Sequence, residues 1–448
     1  MAEVKINYQK EENEGLYYAY QLLEKTNHSL FLTGKAGTGK STFLKNFAQQ
    51  TDKKFIVLAP TGIAAINARG TTIHSFFQIP LGPTQPGDPR LSISRIKPYK
   101  KEIMKKLELL IIDEISMVRA DLIDAVDHVL RNVRRVPKPF GGVQVLFVGD
   151  LLQLEPVVRQ EEWEVLRNWY TGPFFFDALV FQELELINIE LEKVYRQVDV
   201  GFVNLLNRFR NGNADYHDIK EINTRCQPVK GLRKNYEVTI STTRSKSDGI
   251  NDDELHKLPG DLHEFEGVID KKFPMHSLPT DENLALKLGA QVMFVKNDIR
   301  EKNRRWVNGT IGIVDGFSED HIHVKLEDGI ILEVGKETWE HIEFKFNKSK
   351  RVIEENVLGS YTQFPLKLAW AVTIHKSQGL TFDHLVIDLD RGAFAAGQLY
   401  VALSRCTSMD GIHLSRPVKP SDIIVRESVL EFYRRMNDMR QIMRALEN

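Results

Sequence analysis

Short apolar runs recur through the first two hundred residues, each closed by glycine, proline or an acid. Leu30-Phe31-Leu32, Phe55–Ala59, Leu107–Ile112, Val143–Val148 and Leu184–Leu191 read as strands buried on both faces. Between them, apolar residues fall at helical spacing. Leu16, Ala19, Leu22 and Leu23 mark an opening helix within residues 1–28, and Phe43, Leu44, Phe47 and Ala48 mark a second. Ile63–Ala68 predicts a short helix, and 117–135 a longer one with Leu122, Val126, Leu130 and Val133 inward. Strand–helix alternation predicts a parallel α/β sheet whose working residues gather at the carboxyl ends of the strands. Gln78 to Pro98 breaks the pattern with Pro80, Pro83, Pro86, Pro89 and Pro98, which predicts an inserted loop or small subdomain.

The second half reads differently. Val200–Arg210 predicts a helix, and Val238–Ser241 and Ala290–Val295 predict strands with helical material between. Over 306–345 apolar residues alternate, and Asp315-Gly316 and Asp328-Gly329 read as hairpin turns, so a compact antiparallel β barrel is expected. The α/β pattern resumes with single strands over Leu366–Val372 and His384–Leu389, then a helix bearing Gln398, Tyr400 and Ser404-Arg405. One amphipathic helix is expected over 421–446, with a core stripe of Val429, Tyr433, Met436, Met443 and Leu446.

The chemistry starts at Leu30–Thr42. An apolar strand runs into Gly34, four residues, and Gly39-Lys40-Ser41, which is the phosphate-loop spacing in its strand–helix setting. Glycines let successive N–H groups face one point at a helix N-terminus, a cradle for phosphate. Lys40 adds a mobile charge for the β and γ phosphates, and the Ser41 hydroxyl is placed to ligate Mg²⁺. Read alone, the pattern also fits a glycine-rich turn, so its partners decide. The strand ending at Ile112 delivers Asp113-Glu114, one carboxylate for the metal and one to orient or deprotonate water. Gln153, past another strand end, can meet a γ-phosphate or its water. Arg196 and Arg405 are candidate fingers for that phosphate, although an isolated Arg at a strand end is usually a surface charge. Thr373-Ile374-His375-Lys376-Ser377-Gln378-Gly379 offers hydroxyls, imidazole, ammonium and amide suited to a nucleic-acid backbone. Arg131, Arg134 and Arg135 read as a solvated helix end.

Composition narrows this further. At 448 residues there is material for about three domains. Sixty basic residues stand against 61 acidic ones, so a nucleic-acid contact needs a local groove, not a global field. No run approaches a membrane span, and MAEVKINYQKEENEG is no secretion signal. Cys226 and Cys406 lie far apart without metal-type spacing, which fits a reducing compartment.

Taken in order, GKAGTGKS, APTGIAA, GTTIHSFF, LLIIDEISM, FVGDLLQLEPV, VYRQ, AVTIHKSQG and YVALSR resemble superfamily-one helicases. The subgroup they resemble is the petite-integration-frequency (PIF) type, related to RecD, over residues 16–415 or so. The resemblance implies an α/β fold of two RecA-like domains. The first would cover 1–185 with a wedge insert at about 78–105. The second would be 186–300 and 360–448, interrupted by a β-barrel insert at 301–359. It implies ATP and Mg²⁺ as cofactors, held by Gly34, Ala36, Gly37, Thr38, Gly39, Lys40, Ser41 and Thr42, with Gly379 nearby. Ser41 and Asp113 would face the metal, Glu114 would activate water, Gln153 would sense the γ-phosphate, and Arg196 and Arg405 would be the fingers. The adenine-reading glutamine motif is poorly formed, with Gln21 as a stand-in. Single-stranded DNA would meet Thr61, Gly62, His74, Phe76, Thr373, His375 and Lys376. A monomeric motor moving 5′ to 3′, unwinding duplexes, forks and G-quadruplexes and meeting single-strand-binding protein, is the implied activity. The short chain fits a bacterial or phage protein of the cytoplasm and nucleoid. A translocase that does not unwind, a nucleotide-gated DNA-binding switch and, remotely, a small-molecule kinase are the competing expectations.

Overall fold

The computed structural model describes residues 10–35, 37–193, 195, 199–226, 236–271, 273–275, 278–298, 305–347 and 352–447. The chain forms two compact units. The first comprises Met1–Arg196, Ile342–Asn356 and Arg426–Asn448, and the second Gln197–His341 and Val357–Val425.

The first unit is built on a six-stranded sheet of β1 (Ser29–Gly34), β2 (Phe55–Ala59), β3 (Thr71–Thr72), β4 (Leu109–Ile112), β5 (Gln144–Val148) and β6 (Leu186–Leu191). The order is β3-β2-β4-β5-β1-β6 and every pairing is parallel. Leu30 stands beside Leu146 and Ile187, so the central strands are apolar on both faces and buried. Helices α1 (Glu14–Lys25), α2 (Lys40–Gln50), α3 (Gly62–Asn67), α4 (Ile73–Phe77), α5 (Pro98–Lys106), α6 (Ala120–Arg134) and α7 (Gln160–Leu166) connect the strands. One core joins Leu22, Leu23, Phe43, Phe47, Ile111, Leu146 and Ile189, and the end of the chain contributes Ile442 and Ala445.

The proline-rich insert carries two short 3₁₀ turns and α5. Asp121, on α6, ties it down. Its carboxylate accepts from Thr84 N at 2.8 Å and from Arg119 Nε and Nη2, both at 2.9 Å. Arg119 also donates to Gly82 O at 2.9 Å.

The second unit opens with α8 (Val200–Arg210), α9 (Tyr216–Asn223), β7 (Val238–Ser241) and α10 (Arg244–Lys257). Strands follow at β8 (His263–Glu266), β9 (Val268–Lys271), β10 (Asn283–Leu286), β11 (Gln291–Phe294), β12 (Ile311–Phe317), β13 (Ile322–Lys325) and β14 (Ile331–Val334). Then come β15 (Glu337–Asn347) and β16 (Val352–Gln363), of which 337–341 and 357–363 belong to this unit, then β17 (Leu366–Leu368), β18 (Ala371–Thr373), β19 (Leu385–Asp388), α11 (Gln398–Leu403) and β20 (Ile412–Leu414). A parallel sheet, β18-β7-β19-β20, is the second α/β layer. The β insert holds the antiparallel sheet β14-β13-β12-β11-β17, with β15-β16-β9 and β10-β8 as smaller sheets. Its core gathers Val292, Phe294, Trp306, Val324, Phe364 and Trp370.

Several expectations are corrected here. The run 366–372 is two strands: β17 pairs with β11 and β18 with β7, so the chain changes sheets across Ala369-Trp370. Asp315-Gly316 is no hairpin turn. The register shifts between Val314 and Gly316, a bulge, and the turn falls at Ser318–His321, where Ser318 N bonds His321 O at 2.9 Å. Between β7 and β11, α10 is the one α-helix among the described residues; β8, β9 and β10 extend the insert well before 301. The first unit runs past 185 because β6 pairs with β1 along its length. The helix expected over 421–446 is two, α12 (Glu427–Tyr433) and α13 (Met439–Glu447), with Asn437 between them at φ 54°. The break rotates the stripe, leaving Met443 exposed and burying Ile442 and Ala445. Arg134 is not merely solvated, since it donates to the carbonyls of Gly141, Met104, Lys105 and Leu107.

Candidate nucleotide and nucleic-acid site

Gly34, Gly37 and Gly39 all have positive φ (151°, 82° and 90°), so the loop leaving β1 curls before α2 begins at Lys40. A side chain at Gly34 would sit 2.7 Å from Thr38 Oγ1 and 2.8 Å from Leu191 O. Thr38 is buried and its hydroxyl bonds Lys35 O at 2.9 Å, closing the curl from inside. No side chain caps the N-terminus of α2 and no acid lies in its first turn, an arrangement that suits an anion. Lys40 folds back over the loop, its Nζ 2.5 Å from Gly34 O and 3.1 Å from Lys35 O. Ser41 and Thr42 are exposed at the start of the helix. Ala36 lies outside the described residues.

Asp113 leaves the end of β4, its Oδ1 accepting from Glu114 N at 2.9 Å. Burial pushes its carboxyl pKa up, opposed by that N–H and by Lys40. Glu114 is held at φ 51°, a left-handed conformation uncommon away from glycine. Strand β5 leads to Asp150, which is 2% exposed. Gln153 donates from Nε2 to Asp150 Oδ2 at 3.2 Å.

Tyr195 was not singled out in the sequence. Its N–H bonds Gly37 O at 2.9 Å, its ring passes 3.8 Å from where a Gly39 Cβ would be, and its hydroxyl accepts from Asn13 Nδ2 at 3.1 Å. An aromatic immediately before a candidate finger arginine was the available signal. Arg196 itself lies outside the described residues. Gln21 is half-buried on α1.

The expected DNA residues divide. Thr61 is exposed and its hydroxyl caps α3 through Ala64 N at 3.2 Å, with Gly62 as the first helical residue. His74 sits on α4 with Nδ1 3.3 Å from Ile79 O, and burial lowers its pKa. Phe76 is corrected: at 2% exposure, edge-on to Phe77, it is core and offers no face to a base. In the second unit, Thr373 ends β18 and accepts Lys376 N at 3.3 Å. Burial lowers the pKa of His375. Partial burial, with Lys367 and Arg244 nearby, brings Lys376 to about 8. Gly379, at φ 77°, is exposed with open space on its side-chain face.

Arg405 differs from a projecting finger. It is 1% exposed, and its guanidinium bonds Val401 O at 2.9 Å, Ser404 Oγ at 2.8 Å, Leu380 O at 3.3 Å and Ser377 O at 3.4 Å. It braces the 373–380 loop from behind.

A glycine loop with its lysine, an Asp-Glu pair and a glutamine at neighbouring strand ends of a parallel sheet define a phosphate-loop nucleotide-binding α/β protein. Residues 10–219 match the family described as PIF1-like helicase. The ATP-dependent DNA helicase Pif1 of Bdellovibrio bacteriovorus is 33% identical over 433 residues, covering 93% of this chain and 90% of that protein. The PIF1 helicase of Rattus norvegicus is 34% identical over 90% of this chain, and the chain spans 61% of that relative's length. The crystal structure of Bacteroides sp Pif1 with ADP-AlF4 superposes with a TM-score of 0.88 at 40% identity, covering 96% of this chain and 97% of that one. The Bacteroides protein has also been solved bound to single-stranded DNA. This chain belongs to the PIF1-like helicase family, and its fold is that of two RecA-like domains with a wedge insert in the first and a β insert in the second.

Proposed function

We propose that the chain is an ATP-driven helicase that translocates 5′ to 3′ on single-stranded DNA and opens duplexes, forks and G-quadruplexes. The observation that carries this is the set of Lys40, Asp113, Glu114 and Gln153 on one sheet, in a chain with a second parallel sheet bearing Thr373, His375 and Lys376. ATP phosphates are received by the N–H groups of the 34–42 loop, and Lys40 exchanges its bonds to Gly34 O and Lys35 O for phosphate oxygens. The exposed Ser41 hydroxyl and the Asp113 carboxylate are the hard oxygen donors that suit Mg²⁺, and a cation would relieve the buried carboxylate. The metal, when bound, neutralises charge on the β and γ phosphates. Glu114 takes the proton of the attacking water, and Gln153 faces the γ-phosphate. Tyr195, 56% exposed beside the loop, is suited to stack on the base, where the family resemblance offered Gln21 to read the adenine. Arg196 is the finger. Arg405 acts first by bracing the 373–380 loop.

Thr61, His74, Thr373, His375 and Lys376 grip phosphates, so binding is sequence-tolerant and salt-sensitive. The partners are single strands and their junctions with duplex, together with single-strand-binding protein, met by a monomer in the bacterial cytoplasm and nucleoid. No helix among the described residues is long and apolar enough to cross a membrane. The test is unwinding of 5′-tailed against 3′-tailed duplexes with ATP. Unwinding of the 5′-tailed substrate, abolished by Lys40→Ala, is expected. Equal unwinding of both tails, or activity surviving Lys40→Ala, overturns the reading.

A further inference from the structure

The chain returns to the first unit after Val425. Its arm, residues 426–437, is fastened at four places. Arg426 pairs bidentately with Glu155, Nε to Oε2 at 2.8 Å and Nη2 to Oε1 at 2.9 Å. Phe432 stacks on Phe176 with ring centres 4.5 Å apart and 9° between planes. Asn437 pairs with the outer edge of β6, accepting from Glu190 N at 2.9 Å and donating to Glu190 O at 3.2 Å.

The fourth fastening enters the nucleotide site. The Tyr433 hydroxyl donates to Asp150 Oδ1 at 3.1 Å. It lies 2.8 Å from Thr33 Oγ1, the residue before Gly34, and accepts from Leu151 N at 3.3 Å. A phenol oxygen has one proton and two acceptor positions, and all three are used. The same Asp150 carboxylate holds the Gln153 amide at 3.2 Å and the Leu152 N–H at 3.2 Å. The loop carrying Gln153 is therefore held at its start through Tyr433 and at its end through Arg426. Both anchors come from a segment more than 270 residues further along the chain.

We propose that the C-terminal arm sets the γ-phosphate-facing glutamine, with Tyr433 as a positioning residue acting through Asp150. This rests on the reading of Gln153 given above. The Tyr433 hydroxyl orients the carboxylate, the carboxylate holds the amide, and the amide waits where phosphate is split. Without the hydroxyl, Asp150 loses a donor and Thr33 a partner, while the ring still fills its place. The loss then falls on the step that needs the amide aligned, not on nucleotide affinity.

The test uses the full chain at saturating single-stranded DNA with Gln153→Ala, Tyr433→Phe and the double variant. Tyr433→Phe should lower kcat about five- to tenfold with KM for ATP changed less than about twofold. It should weaken ADP-AlF4 binding by a similar factor, leave ADP binding unchanged, and add little to Gln153→Ala because the two act in one chain of contacts. Undiminished turnover by Gln153→Ala removes the sensing reading and this inference with it. Turnover lost in Gln153→Ala but retained in Tyr433→Phe, or fully additive losses, overturns the positioning role alone. Equal weakening of ADP and ADP-AlF4 by Tyr433→Phe makes the residue merely structural and also overturns it.

Discussion

Replacing Asp121 by alanine should uncouple unwinding from ATP consumption. The carboxylate is 2% exposed and accepts Thr84 N, Thr84 Oγ1 and two nitrogens of Arg119. Removing it strands the N–H of Thr84, itself 3% exposed, at about 1–3 kcal/mol. It also breaks a buried charge pair, for which about 3–5 kcal/mol is usual when one partner is lost. The two costs share atoms and do not add. Arg119 keeps Gly82 O and Glu162, which offsets part of the loss. A net cost of roughly 3 kcal/mol remains. It falls on the seat of the proline-rich insert, since the sheet that carries Lys40 and Asp113 does not use these bonds. Limited proteolysis should then cut within 78–98 at protease levels that spare the parent protein. Single-strand-stimulated ATP hydrolysis should persist within about twofold, while unwinding of a 5′-tailed duplex falls about tenfold or more. Parallel loss of both activities would mean that Asp121 supports the nucleotide site directly. An unchanged cleavage pattern would mean that the insert is held by something else.

Four further outcomes are expected. Glu114→Gln should bind ATP and DNA but lower kcat about 100-fold or more in steady-state hydrolysis, because the proton acceptor is gone. Lys376, lowered to about 8, is charged below that pH, and DNA phosphates favour the charged form, so single-strand affinity should fall as pH rises from about 7 to about 9. In the same residue the unfolded chain keeps its proton to higher pH, so fold stability should rise between about 8 and 10.5; Lys376→Arg should flatten both profiles in fluorescence-anisotropy and denaturant titrations. Gly34→Ala places a methyl 2.8 Å from Leu191 O in a backbone at φ 151°, and should cost at least about 2 kcal/mol in urea unfolding together with most nucleotide binding.

Most of the first sheet was legible because its central strands are apolar runs ending in the residues proposed for the chemistry, as Leu109–Ile112 leads into Asp113, whereas the two-residue β3, Thr71-Thr72, carries no such run. The phosphate loop was legible for the same reason: local spacing dictates local geometry. Features decided at a distance were not. Phe76 lies next to His74 in sequence, but packing turned it inward. Asp315-Gly316 carries turn chemistry, yet the pairing of β12 with β13 absorbs it as a bulge. The strand 366–372 is continuous in hydropathy, and only the partners β11 and β7 divide it. Tyr433 read as one more core position, since its hydroxyl contacts Thr33 and Asp150, 400 and 283 residues away. Arg405 read as a finger candidate because the Ser377 and Leu380 carbonyls that help enclose it lie 28 and 25 residues away in the chain.

The late return of the chain has a consequence for how the protein is made. A nascent chain can complete β1 to β6 long before Phe432, Ile442 and Ala445 leave the ribosome, and until then the faces they cover stay wet. The first unit therefore matures last. A polypeptide that has not reached residue 433 carries the glycine loop without the contact Tyr433 makes at Thr33, and nicks within 426–447 should be felt there.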